Sequence, residues 1–267
     1  LIGNGTNLLV ADKGLDTVVI NTSAELSHIE LTDEGEIAAD AGVSLAKLAL
    51  FAWKNGLTGL EFAHGIPGTV GGGVCMNAGA YGGELKDAVE SVVCYYLPEQ
   101  RLYEVPGDKC DFGYRSSFFK KLPGCVVLSA VLRLEAGDRE EIAAKMRDFN
   151  QRRRDKQPLD LPSAGSAFKR PEGQFAAALI DQAGLKGFRV GGAQVSEKHA
   201  GFVVNAGGAS AHDVHELMLQ VRKTVYEKSG IILEPEIIIL PPDYKLEDNG
   251  PAAPGYVISG PGGSAED

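Results

Sequence analysis

The sequence predicts a mixed α and β protein with more than one core, its strand-rich and helix-rich stretches lying apart along the chain. Three observations carry that expectation. The chain has 267 residues, 44% hydrophobic and 23% charged, which fits one to two globular domains. Short apolar runs bounded by turn residues alternate with stretches of helical period. Eight glycines crowd the segment Gly65–Gly83. Glycine loses more entropy on ordering than any other residue but lets backbone approach a ligand closely. Such a concentration points to main-chain N–H groups wrapped around a large polar ligand carrying phosphates. A second glycine turn, Gly3-Asn4-Gly5-Thr6-Asn7, precedes the apolar run Leu8-Leu9-Val10 and offers a second anion cradle. Either stretch alone reads equally well as an ordinary loop.

In chain order, residues 8–10 and 17–20 read as strands of a small sheet. Residues 44–55 read as a helix: Ser44 caps it, Leu45, Leu48, Ala49, Ala52 and Trp53 share a face, and Gly56 ends it. Residues 89–96, 101–105 and 125–134 read as strands of an antiparallel or mixed sheet. Asp138 with Glu141 resembles a capping box. The helix it opens carries Ile142, Met146 and Phe149 as its apolar stripe and should end before Pro158. The stretch 156–165, KQPLDLPSAG, reads as a boundary. A short helix over about 174–184 follows. A clearer helix spans about 211–229, with Ser210 as cap, Val214, Leu217, Met218, Val221 and Val225 on one side, and Gly230 as terminator. Ile231–Leu240 reads as the closing strand. The tail 241–267, rich in Pro, Gly and acidic residues, is expected to be disordered.

Composition excludes several functions. A net charge of −10 opposes general nucleic-acid binding, and no apolar run is long enough to span a bilayer. Cys75, Cys94, Cys110 and Cys125 form no C-x-x-C pair and have no histidine at metal-ligand spacing, so no metal is expected and a reduced, cytoplasmic compartment is the simplest reading. The dinucleotide fingerprint, the P-loop, the zinc-hydrolase helix and the nucleophile elbow are all absent. Arg147, Arg152, Arg153, Arg154 and Lys156 cluster, with Lys169 and Arg170 soon after. A local basic patch suits a small anionic substrate, although a solvated helix face is the commoner reading for most of these arginines. The chain starts at Leu1 almost inside a glycine turn, which predicts a preceding N-terminal segment.

Three isolated polar residues draw interest. Ser166 follows Gly165, which permits a turn exposing the hydroxyl, although a serine there is more often a cap or turn residue. Arg115 offers a guanidinium fork for a carboxylate, although a structural arginine is commoner. Glu236 lies in an otherwise apolar run, where a carboxylate must be paired, protonated or functional. Glu234 shares its face, and the residues alone do not choose between them.

The segments Gly3–Val10, Gly65–Gly72 and Met76–Gly82 strongly resemble the UDP-N-acetylenolpyruvoylglucosamine reductases, the flavoenzymes of bacterial peptidoglycan precursor synthesis. Phe112-Gly113-Tyr114-Arg115-Ser116-Ser117-Phe118, Ala164–Pro171 and Leu233-Glu234-Pro235-Glu236 resemble the family's later signatures in order. The shorter, type II subgroup is the nearer likeness, without the family's opening strand–helix unit. The resemblance implies an α+β fold: an FAD-binding fold of the vanillyl-alcohol-oxidase/PCMH type plus a C-terminal α+β substrate-binding domain. The implied boundaries are 1–136 for the FAD region (about 1–40 and 41–136), 137–162 for a connecting helix and linker, and 163–240 for the substrate domain.

The resemblance further implies noncovalent FAD, with NADPH reducing the enolpyruvyl ether of UDP-N-acetylglucosamine to UDP-N-acetylmuramate. Cofactor contacts fall on Gly3, Asn4, Gly5, Thr6, Asn7, Leu8, Gly65, Ile66, Pro67, Gly68, Thr69, Gly71, Gly72, Asn77, Gly79, Tyr81 and Gly82. Catalysis falls on Arg115 as electrophile, Ser166 as proton donor and Glu236, which the resemblance selects over Glu234. Tyr114, Lys156, Lys169, Arg170 and His199 are the candidate substrate contacts, with covalent flavin attachment at His64 rejected. The expected partner is the small-molecule substrate, with neither nucleic acid nor membrane. Two alternatives remain at this stage: another FAD oxidase or dehydrogenase of the same fold, and a nucleotide-sugar-binding module without turnover.

Overall fold

A computed structural model describes residues 1–241 of the chain. It separates into two compact units, one of Leu1–Thr6 with Val18–Arg153, the other of Asn7–Thr17 with the described part of Arg154–Asp267. The early strand β1, Leu8–Val10, belongs to the second unit because it pairs in parallel with Ile238–Leu240. The division therefore does not follow the contiguous ranges that the sequence suggested. It falls near the end of a long helix rather than in the Pro-containing stretch after it.

The first unit is built on a five-stranded antiparallel sheet. Its strands are β2 (Ile29–Leu31), β3 (Ile37–Asp40), β4 (Val89–Tyr96), β5 (Arg101–Pro106) and β6 (Cys125–Leu132), in the order β2-β3-β6-β4-β5. Two helices share its core. Helix α1, Leu45–Lys54, is capped by the Ser44 hydroxyl, which accepts from Lys47 N, and buries Leu45, Leu48, Ala49 and Ala52. These side chains join Ile37, Val92 and Leu132 in one apolar cluster, the main source of stability for such a layer. Helix α2, Val70–Met76, lies within the glycine segment. A Cβ at Gly71 would meet the Ala41 Cβ at 2.8 Å, and one at Gly73 would meet Leu85 at 2.9 Å. Those two glycines let the helix seat closely. Helix α3, Arg139–Lys156, starts with the Asp138 carboxylate accepting from Glu140 N and Glu141 N and buries Ile142 and Met146.

The second unit has a four-stranded antiparallel sheet of β7 (Ser163–Ser166), β8 (Arg189–Val190), β9 (Ala193–Val195) and β10 (Phe202–Asn205), ordered β7-β10-β9-β8. The expected short helix is α4, Ala176–Gln182. Helix α5, Ala211–Ser229, has a capping box of Ser210 and Asp213 and ends at Gly230 with φ 71°. Its buried Leu217, Met218, Val221 and Val225 pack with Leu179, Ile180 and Leu233. The Asp12 carboxylate, just after β1, accepts from Ala211 N at 2.7 Å and His212 N at 3.2 Å. That ties β1 to the positive end of α5.

Two expected strands differ. Residues 17–20 form none: Val18 is 86% exposed, and the segment finds no ladder among the described residues beyond an isolated bridge of Ile2 with Asn21. Of Ile231–Leu240 only β11, Ile238–Leu240, is strand, preceded by an isolated bridge of Phe168 with Pro235. Pro235 has no N–H to donate and interrupts the ladder. The tail expected to be disordered lies outside the described residues after Pro241.

Candidate functional site

In the first unit the two glycine turns come together. The Thr6 hydroxyl donates to Pro67 O at 3.2 Å, and a Cβ on Gly3 would fall 2.3 Å from the Thr69 hydroxyl oxygen. Gly68 holds φ 138° and Gly82 φ 90°, conformations that disfavour any other residue. A Cβ at Gly82 would meet open space, and one at Gly68 only the Thr6 hydroxyl at 3.6 Å. The start of α2 is not the cradle. Val70 N donates to Val43 O and Gly71 N to Ala41 O, both at 2.8 Å, and Gly72 N faces the Thr69 hydroxyl. Among the described residues the amides of Asn4, Gly5 and Gly68 have no protein acceptor. The loops, rather than the helix terminus, present donors. Gly71, expected to contact cofactor, serves packing instead, and Ile66 N is taken by Ala63 O.

Asn77 also differs from expectation. It is 1% exposed and adopts φ 43° at the C-cap of α2. Its amide nitrogen donates to Glu84 Oε2 at 2.8 Å and Gly113 O at 3.1 Å, while its oxygen accepts from Lys86 N at 3.0 Å. All its polar capacity is used inside the protein. What it positions is the turn carrying Arg115, where Gly113 and Ser116 exchange backbone hydrogen bonds. Arg115 takes φ 53°. Its guanidinium lies 5.3 Å from the centroid of the half-exposed Tyr114 ring and makes a long 3.5 Å contact with Gly79 O. The adjacent Ser117, fully buried, donates to Cys75 O at 2.8 Å. Three of the five non-glycine residues with positive φ are Asn77, Tyr81 and Arg115. Strained backbone of this kind collects at functional sites.

Sequence reasoning passed over the inner face of α3. Arg153 is buried, its Nη2 donating to Phe62 O at 3.2 Å and its guanidinium over the Tyr81 ring at 5.2 Å. Tyr81 stacks on Phe149 at 4.7 Å. Asn150 Nδ2 lies 2.6 Å from His64 Nδ1, so the amide donates and the ring proton sits on Nε2. Burial, then the Arg153 charge, push the His64 pKa below its ordinary value. The missed signal was periodicity: Arg153 continues the stripe of Ile142, Met146 and Phe149.

In the second unit Ser166 is half-buried at the end of β7, after Gly165 with φ 85°. Its hydroxyl makes no hydrogen bond among the described residues. Ser166 pairs with Phe202 on one side, and on the other the next residue's carbonyl, Ala167 O, accepts from Glu236 N at 2.9 Å. Ser166 and Glu236 are thus backbone neighbours. Asn7, expected to hold cofactor, belongs to this unit, as does Leu8. Its side-chain nitrogen donates to Glu236 O at 3.1 Å and its carbonyl accepts from Ile238 N at 3.0 Å, so it braces the acid's backbone. Glu234 is separated from Glu236 by engagement with Lys169 at 3.0 Å. Arg170 lies over the exposed Phe175 ring at 4.5 Å. His199 is half-buried, with Nδ1 accepting from Gly201 N at 3.2 Å and its ring edge-on to Phe202. Burial leads the lowering of its pKa. Lys156 is exposed at the end of α3.

Among the described residues no group of three or more His, Cys, Asp or Glu could hold a metal, and no helix is long and apolar enough to cross a membrane. The first unit instead fits FAD: open positive-φ glycines, unclaimed loop amides and a buried guanidinium with an unpartnered Nη1 suit a ligand with a diphosphate and a polar ring. Residues 1–97 match an FAD-binding domain. Fold and loops together define an α+β flavoprotein oxidoreductase. Residues 157–240 match the C-terminal domain of UDP-N-acetylenolpyruvoylglucosamine reductase. The chain is 49% identical over 241 residues to the protein of that name from Caldanaerobacter subterraneus subsp. tengcongensis, covering 90% of this chain and 78% of the relative. It is 47% identical over 243 residues to that of Clostridioides difficile, covering 91% and 79%. The crystal structure of the Thermus caldophilus reductase superposes with a TM-score of 0.78 at 39% identity, covering 90% of this chain and 84% of that one. The chain belongs to the UDP-N-acetylenolpyruvoylglucosamine reductase family.

Proposed function

We propose that this protein reduces the enolpyruvyl ether of UDP-N-acetylglucosamine to UDP-N-acetylmuramate with electrons from NADPH, in the cytoplasm, as a step towards peptidoglycan and hence cell shape and division. The observation that carries the reading is the half-buried, unengaged Ser166 hydroxyl held one backbone hydrogen bond from Glu236, in a chain of this family.

Bound FAD supplies the two-electron couple. Gly3–Thr6, Gly65–Thr69 and Gly79–Gly82 hold it with main-chain groups and the Tyr81 ring. Ser166 Oγ carries the proton delivered to the substrate carbon next to the carboxylate, a task in which position matters more than acidity. Glu236 assists that transfer from the neighbouring strand. Arg115 pairs with the substrate carboxylate and strengthens its hold as negative charge grows there. Lys156, Lys169 and Arg170 take the UDP diphosphate, with Lys169 exchanging Glu234 for phosphate. Tyr114 and His199 line the substrate.

Colour and half-reactions test this. The purified protein should be yellow and bleach under NADPH without oxygen. UDP-N-acetylglucosamine enolpyruvate should restore the colour far faster than oxygen alone. Rapid recovery with oxygen only would favour an oxidase, and a colourless protein that binds the nucleotide sugar would favour a module without turnover.

A further inference from the structure

The inner face of α3 contributes a cation that the scheme above does not use. Arg153 is 6% exposed, whereas Arg152 and Arg154 stand in solvent, Arg152 in an i,i+4 pair with Asp148. Nη2 has the Phe62 carbonyl, but Nη1 is buried with no hydrogen-bond partner. A buried charge without an anion, and a buried donor without an acceptor, are both costly. Such an arrangement persists where something else completes it. The residue facing Nη1 is Gly65. A Cβ there would sit 1.8 Å from Nη1 and 2.7 Å from Asn150 Oδ1, so glycine keeps the donor's surroundings open. Gly65 begins the loop that runs through Gly68 into α2, inside the segment matching an FAD-binding domain. Tyr81 and Phe149 flank the guanidinium and its helix face, and Asn150 holds His64 neutral beside it. The cation is confined from several sides with one donor left over.

We propose that Arg153 holds the cofactor, its Nη1 donating to an anionic oxygen of bound FAD. Two parts of FAD offer that chemistry: the diphosphate, and the pyrimidine edge of the ring, which becomes negative on reduction. The inference rests on the glycine loops being the FAD cradle.

Three variants of the full chain test it: Arg153→Met, Arg153→Lys and Gly68→Ala. Arg153→Met should weaken FAD binding roughly ten- to a hundredfold, the scale for a hydrogen bond to a charged group, and Arg153→Lys should weaken it less. Without FAD the Arg153→Met protein should unfold no more easily than wild type, because an unsatisfied buried donor has been removed. A diphosphate contact leaves riboflavin binding unchanged. A ring contact weakens riboflavin as well and lowers the midpoint potential of the bound flavin. If both Arg153 variants bind FAD like wild type while Gly68→Ala does not, the proposal is overturned and an internal water satisfies Nη1. If none of the three changes FAD affinity, the cradle reading itself fails. Destabilisation of FAD-free Arg153→Met, without rescue by lysine, would make the arginine structural and also overturn the proposal.

Discussion

The two units place functional groups by different means. In the first, main chain does the work: glycine turns meet, amides stay open, and Asn77, Tyr81 and Arg115 sit at positive φ. In the second, Ser166 and Glu236 are side chains on neighbouring backbone segments of an ordinary sheet region, braced by Asn7 and by capped α5. Function and conformation are therefore tightly joined in the first unit and separable in the second. A side chain on a regular ladder can be exchanged with little effect on the fold. A residue whose backbone is itself strained cannot.

That contrast can be broken or sharpened by substitution. The largest effect is expected in the second unit, on rate alone. Ser166→Ala should slow substrate reduction by roughly 10²–10⁴-fold, the scale of lost proton transfer, with unchanged melting temperature, FAD affinity and flavin reduction by NADPH. Equal slowing of both half-reactions would make the serine structural. Next comes Asn77→Ala in the first unit, which strands a buried backbone N–H and carbonyl and should lower stability by about 3 kcal/mol. Denaturant unfolding would measure it, and a loss below about 1 kcal/mol would contradict the hub described for Asn77. Gly82→Ala has room for its methyl group but not the right φ, so a loss of about 1–2 kcal/mol is expected from backbone strain alone. Retained stability there would show that the turn relaxes.

The smallest effect is on pH dependence. His64 in the first unit and His199 in the second are both held below their ordinary value of 6.5, chiefly by burial. As pH falls, the unfolded chain takes up these protons before the folded one. The histidines' contribution is therefore full above about pH 6.5 and is lost as pH drops through that value towards the lowered folded pKa. Thermal unfolding between pH 8 and 5 should show the decline, and His64→Gln and His199→Gln should each flatten it in their own unit. A profile unaffected by either variant would mean that other groups set it.

Legibility in the sequence followed the range of the interaction. The caps of α1 and α5 were readable because Ser44 and Ser210 act on residues three positions away. The antiparallel sheet was readable from apolar runs between turns. The closing strand was overextended because apolar character was weighed above the missing donor of Pro235. Residues 17–20 failed because an apolar run specifies no partner edge. The arginine cluster was read as a solvated face, which holds for Arg152 and Arg154. Arg153 carried a contrary signal in its helical register that charge obscured.

By itself the sequence determined that glycine loops, rather than a dinucleotide fingerprint or metal ligands, would hold the ligand, and it picked out Arg115, Ser166 and Glu236 as the residues to watch. Only the tertiary structure decided which glycines face open space and which merely admit a neighbour: Gly82 is open, while Gly71 lies against Ala41 and Gly65 against Arg153. It also decided that Asn7 braces Glu236 across 229 positions of chain and that one arginine of three is buried with a donor to spare. The reason is physical. Residue type and spacing encode what a group can do and how its local backbone bends, whereas the atoms that come to lie against it arrive from distant segments.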